Sequence, residues 1–131
     1  MFKNCHRLGI LLVCVLGQGA CEWGASNSVT ITAEDFRFTP DLIQIRPDHP
    51  FNLILRNQGR ERHVFQSPSI FGEEGFAAQL SFQEGIRQGD ALILEPGKSL
   101  EMVLTLPSGV YPFRCWIKGH AGMEGTFLVS D

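Results

Sequence analysis

Cys115, His120 and Met123 lie within nine residues of one another in "FRCWIKGHAGMEG", residues 113–125. A thiolate, an imidazole and a thioether are donors that a soft transition metal selects. A β-protein needs none of the three at that point in order to fold. Gly119 and Gly122 bracket the histidine, so a tight loop can turn His120 and Met123 back toward the sulfur. A selective site needs one more strong donor from elsewhere in the chain. His63, which shares a face with Phe65 in the short segment "RHVFQ", is the natural candidate. Two imidazoles, one thiolate and a more distant methionine form the ligand pattern of a mononuclear copper centre. The sulfurs favour Cu(I), the imidazoles accept either oxidation state, and a rigid frame keeps the geometry nearly constant when an electron arrives or leaves.

The cysteine count sharpens this reading. Of four cysteines, Cys5, Cys14 and Cys21 fall in or at the edge of the N-terminal segment, which leaves Cys115 as the one interior thiol. A single cysteine has no disulfide partner; it is an accident, core filler, a nucleophile or a ligand. Taken singly, a strand cysteine is most often filler and a lone histidine is most often structural. Their joint occurrence on suitable strands favours the metal. His49, between an Asp and a Pro in "RPDHPF", reads as a turn residue and is set aside as a ligand. Met102 is in register with leucines and reads as core.

Positioning these donors falls to a series of short alternating segments. "VTITA" places Val29, Ile31 and Ala33 on one side; "LIQIR" does the same with Ile43 and Ile45, and "FNLILRN" with Phe51, Leu53 and Leu55. "SLEMVLTL" aligns Leu100, Met102, Leu104 and Leu106, and "VYPFRC" aligns Tyr111, Phe113 and Cys115. Period-two patterning with "PDHP", "NQG", "EPGK" and "PSG" as turns predicts an all-β Greek-key sandwich or barrel. Residues 68–90 fit no clean period and are expected to form an irregular excursion with a helical turn or two. On this pattern the Cys115 sulfur sits at the inner end of a strand, at one pole of the core.

The chain of 131 residues is expected to hold one folded domain. "MFKNCHR" supplies positive charge, "LGILLVCVL" is too short an apolar run to span a membrane, and small residues follow. That order is the layout of a secretory signal peptide over residues 1–21. Cys21 after "GQGA" invites comparison with a lipid-attachment site, although Gln18 stands where such sites usually carry an aliphatic residue. Residues 22–28 read as a linker and 29–131 as the folded domain, placed outside the cytoplasm, in a periplasm or its equivalent, with a membrane anchor through Cys21 as a further option. Residues 22–131 carry nine Lys+Arg against fourteen Asp+Glu, a formal charge of −5. An acidic domain of this kind does not suggest nucleic-acid binding.

"NQGRERHVF", followed by "GVYPFRCWIKGHAGMEGTFLV", resembles the cupredoxins, the plastocyanin and azurin type of small copper protein. "DFRFTPDLIQIRPDHPFNLILRNQG" also resembles the opening strands of exported members, so the resemblance spans residues 29–131. It implies one copper ion held by His63, Cys115 and His120 as strong ligands and by Met123 as the weak axial one. Two positions depart from the family pattern. Only two residues separate His120 from Met123, fewer than plastocyanins and azurins use, though the copper domain of cytochrome oxidase uses the same spacing. Val64 stands where many members place an asparagine that stiffens the site.

The function implied is one-electron transfer between redox partner proteins. The alternative is copper homeostasis or delivery to copper-handling proteins. An enzyme is not expected: the chain has no His-x-His pair for a trinuclear cluster and no room for a second domain, and a dinuclear site would need another cysteine where Tyr111 or Gly119 stands. A Cys–His nucleophile would lack an evident oxyanion site; a metal-free β-sandwich interaction module is a further alternative, which adding Cu(II) to the metal-free protein decides. Trp116 and Ile117, beside the ligand loop, are either packing residues or an apolar docking rim.

Overall fold

The computed structural model describes residues 27–131. The expected signal peptide, Cys21 and most of the linker lie outside the described residues. The alternating segments form strands in two sheets. One sheet carries, in order, β2 (Arg37–Thr39), β1 (Ser28–Glu34), β4 (Phe51–Asn57) and β8 (Ser99–Leu104). The other carries β3 (Leu42–Ile45), β10 (Glu124–Val129), β9 (Gly109–Arg114), β5 (His63–Gln66), β7 (Ala91–Leu94) and β6 (Arg87–Gln88). β1 runs parallel to β4 and β3 parallel to β10, while the other pairings are antiparallel. The chain thus passes from one sheet to the other between β2 and β3, and the fold is the expected all-β Greek-key sandwich.

The inward residues of each strand make one core. Ile31, Ala33, Phe51, Leu53, Leu55, Leu104, Tyr111, Phe113 and Phe127 are buried, as period two requires. Its centre is aromatic: Phe65 stacks on Phe113 with ring centroids 4.6 Å apart, and Phe38 meets both rings edge-on. Edge-to-face and offset contacts of this kind add about 1 kcal/mol each beyond the area they bury. Three residues expected inside are only half-buried, namely Val29, Ile45 and Leu100. Val29 and Ile45 stand near strand ends, and Leu100 stands on the edge strand β8. Met102 is core, as expected.

β5 departs from alternation: His63, Val64 and Phe65 are all buried. It lies between β9 and β7 inside the larger sheet, and the outer face of Val64 shares a depression with Ile93, Trp116 and Ile117. The excursion at 68–90 contains one helical turn, α1 (Pro68–Phe71), with Ile70 and Phe71 driven into the core. Arg87 organises the rest by donating to the carbonyls of Phe71, Ala78 and Leu80.

Candidate metal centre

β9 delivers Cys115. Its alternation carries the inward face from Tyr111 through Phe113 to a thiol that is only 6 % exposed. The chain then makes two consecutive turns and returns as β10. The His120 N–H donates to the Ile117 carbonyl (3.0 Å), the Met123 N–H to the His120 carbonyl (3.1 Å), and the Cys115 N–H to the Met123 carbonyl (2.9 Å). Gly119 and Gly122 adopt φ of 94° and 83°, a left-handed backbone that other residues resist. Among the described residues a Cβ at either would meet nothing within 4 Å, so conformation rather than space selects glycine there.

β5 brings His63 to the same pole. His63 Nδ1 lies 3.3 Å from His120 Nδ1, and His120 Nδ1 lies 3.5 Å from Cys115 Sγ. The donor atoms of His63, Cys115 and His120 all fall within 4.8 Å of one another, and all three residues are buried. Two nitrogens, each about 2.0–2.1 Å from one ion and roughly 105° apart, would stand about 3.3 Å from each other. The residues therefore fit a single soft ion. Met123 is buried at 1 % exposure, with its main chain tied to both Cys115 and His120. His49 is exposed, and its Nδ1 lies 2.7 Å from the Pro47 carbonyl, a turn contact away from this cluster.

The frame acts on the donors in several ways. The Val64 N–H points at Cys115 Sγ from 3.4 Å, so the main chain directs a donor at the sulfur from the position where the resemblance leads one to look for an asparagine side chain. Burial, and then the neighbouring His120, push the His63 pKa below the usual 6.5, against the opposing charges of Asp35 and Glu61. A neutral imidazole is the form that binds a metal.

Sequence reasoning missed four residues that shape the site. Asn57 is buried, donates to the carbonyls of Glu61 and Leu94 (both 2.8 Å) and accepts from the Gly59 N–H (2.9 Å), which fixes the loop into β5. Gly59 passes so close to His63 that a Cβ would lie 2.9 Å from Nε2. The Glu61 carboxylate reaches His120 Nε2 at 2.9 Å. The Phe36 ring meets the His120 ring edge-on at 5.5 Å. Only Asn57 and Gly59 left a trace in the sequence, as the "NQG" turn.

Trp116 is 48 % exposed, whereas Ile117 packs partly against the core. The two halves of the docking-rim alternative thus separate: Ile117 is packing, and Trp116 is surface.

Known proteins give the same architecture. The chain superimposes on sodium-dithionite-reduced auracyanin from the photosynthetic bacterium Roseiflexus castenholzii with a TM-score of 0.57 at 19 % identity, covering 82 % of this chain and 100 % of that one. Auracyanin B aligns with a TM-score of 0.57 at 21 % identity, over 81 % of this chain and 90 % of that one. Auracyanin A, a "blue" copper protein from the green thermophilic photosynthetic bacterium Chloroflexus aurantiacus, gives 0.53 at 17 % identity, over 79 % and 98 %. No curated protein sequence matches. The cupredoxin-like domain model matches residues 7–129, and with the fold and the buried donor cluster in place, the chain belongs to the cupredoxin-like family.

Proposed function

We propose that the protein binds one copper ion through His63, Cys115 and His120, with Met123 as a weak fourth ligand, and carries single electrons between redox partner proteins outside the cytoplasm. The observation that carries this reading is the convergence of two imidazole nitrogens and a thiol inside a buried pole, within 4.8 Å of one another. Bound copper would supply a one-electron Cu(I)/Cu(II) couple.

The residues of the chain do the rest. His63 presents a neutral nitrogen, Val64 steadies the sulfur through its N–H, and the turns at Gly119 and Gly122 tie the main chain of His120 to that of Met123 and Met123 to Cys115. The burial of all three strong donors excludes water. A site on sheet-bound, hydrogen-bonded supports does not need to rearrange between oxidation states. The same burial disfavours the delivery alternative, since handing copper over requires an incoming ligand to reach it. An exported location and the signal peptide over 1–21 belong to this reading, as does an optional lipid anchor at Cys21.

Cu(II) added to metal-free protein is expected to produce an intense thiolate-to-copper visible band that Cys115→Ser abolishes. No band, or a band unchanged in that variant, removes the copper reading. Sluggish self-exchange of the loaded protein, or rapid copper loss to a chelator of modest strength, would shift the assignment from carrier to delivery.

A further inference from the structure

The two histidines are held in opposite ways. His63 Nε2 is buried and has no hydrogen-bond partner among the described residues. His120, with its side chain 4 % exposed, has its outer nitrogen 2.9 Å from Glu61 Oε2. We propose that Glu61 is a positioning residue for His120: its carboxylate accepts the Nε2–H and thereby keeps Nδ1 a bare donor aimed at the metal pole. This rests on the copper reading above for its purpose, but not for its geometry.

An ionised carboxylate has lone pairs and no proton to give. At 2.9 Å from it, Nε2 must carry the hydrogen, because the opposite tautomer would set lone pair against lone pair. The neutral ring then has its free lone pair on Nδ1, the atom 3.5 Å from Cys115 Sγ and 3.3 Å from His63 Nδ1. The chain thus selects the one tautomer in which His120 can ligate through the nitrogen that faces the other donors.

An exposed carboxylate that meets a histidine by chance contributes little, and the Glu61 side chain is 63 % exposed. What distinguishes this one is its support. The Glu61 carbonyl receives the Asn57 side-chain N–H at 2.8 Å, so the buried Asn57 fixes the main chain from which the carboxylate extends. On the other side Phe36, held at φ 71°, lays its ring edge-on against the His120 ring at 84°. A bulky residue at positive φ is uncommon, and here it serves to press a ring against the imidazole. Glu61 and Phe36 together leave His120 little freedom to flip.

A carboxylate bonded to the far nitrogen of a metal-bound imidazole makes that imidazole a stronger donor. Stronger donation and the nearby negative charge favour Cu(II) over Cu(I), so loss of Glu61 should weaken Cu(II) binding more than Cu(I) binding. A tenfold difference between the two corresponds to a potential raised by about 59 mV for a one-electron couple.

The test has two arms, using Glu61→Ala and Glu61→Gln. In metal-free protein, the ring nitrogens of His120 read by heteronuclear NMR are expected to show hydrogen on Nε2 in the wild type. Glu61→Gln, whose amide oxygen still accepts, should retain that state, and Glu61→Ala should give a mixture. In copper-loaded protein, Glu61→Ala should raise the potential by about 59 mV, with Glu61→Gln between it and the wild type. Hydrogen on Nδ1 of wild-type His120, or a Glu61→Ala variant matching the wild type in both arms, overturns the proposal. Failure of the wild type to take up copper would sink the function proposed above, while the NMR arm would still decide whether Glu61 sets the tautomer.

Discussion

Gly59 shows how one missing methyl shapes the pole. It crosses the outer edge of His63 with room for hydrogen only: a Cβ would come within 2.7 Å of Asp35 Oδ1 and 2.9 Å of His63 Nε2. The carboxylate can swing aside, but the imidazole is fully buried and cannot. Gly59→Ala is therefore expected to fold yet lower copper affinity about tenfold, the size of effect usual for residues that orient a ligand; chelator competition measures it. Cys115 and His120 were legible because their chemistry is rare and they stand close together in the sequence, and His63 because it opens a strand just after the "NQG" turn. Glu61 was not, because in "RER" it reads as one charge in a solvated run, and its partner lies far along the chain. Phe36 was hidden for a related reason: an aromatic in a turn carries no sign of the ring it will touch. Val64 acts through its N–H, which every residue but proline has.

The strands were read with few errors because period two is written directly in the apolar positions, whereas the connections were not. The loop from β4 into β5 depends on Asn57, whose side chain satisfies two carbonyls and one N–H while buried. Asn57→Ala would leave the buried Leu94 carbonyl without that donor and free the main chain of Glu61. It is expected to destabilise the metal-free protein by about 3 kcal/mol, read by urea denaturation; a loss under about 1 kcal/mol would refute this role. The excursion at 68–90 escaped periodic reading because its order comes from one guanidinium, that of Arg87, binding the carbonyls of Phe71, Ala78 and Leu80. No alternation encodes such a contact.

At the scale of the whole molecule, Tyr111 ties stability to alkaline pH. Its hydroxyl donates to the Pro107 carbonyl at 2.8 Å, and burial, followed by the charge of Asp48, raises its pKa above 10.0. The folded state thus holds the phenol proton more tightly than the unfolded chain. The stability this contributes is fully present below pH 10.0 and is lost as pH rises through the folded value. Tyr111→Phe is expected to flatten the decline in stability above that pH while costing about 1 kcal/mol at neutrality, measured by denaturation across an alkaline series. Copper should act in the opposite sense: at a free concentration a thousandfold above its dissociation constant it would add about 4 kcal/mol. Because the donors sit on segments far apart in sequence, the gain is expected in a slower unfolding rate, with the refolding rate unchanged. Stopped-flow measurements with and without copper check both halves.

The register of β10 carries a consequence for how the living chain would acquire the proposed ion. Residues 126–129 pair with 42–45, and the main chain of Met123 closes the turn that begins at Cys115. Until that late stretch emerges and docks beside an early one, the thiol is bare and no cage exists around it. On the proposed reading, capture of a metal would consequently be an event of the finished body, and the order of assembly itself would guard a nascent chain against seizing whatever cation it meets first.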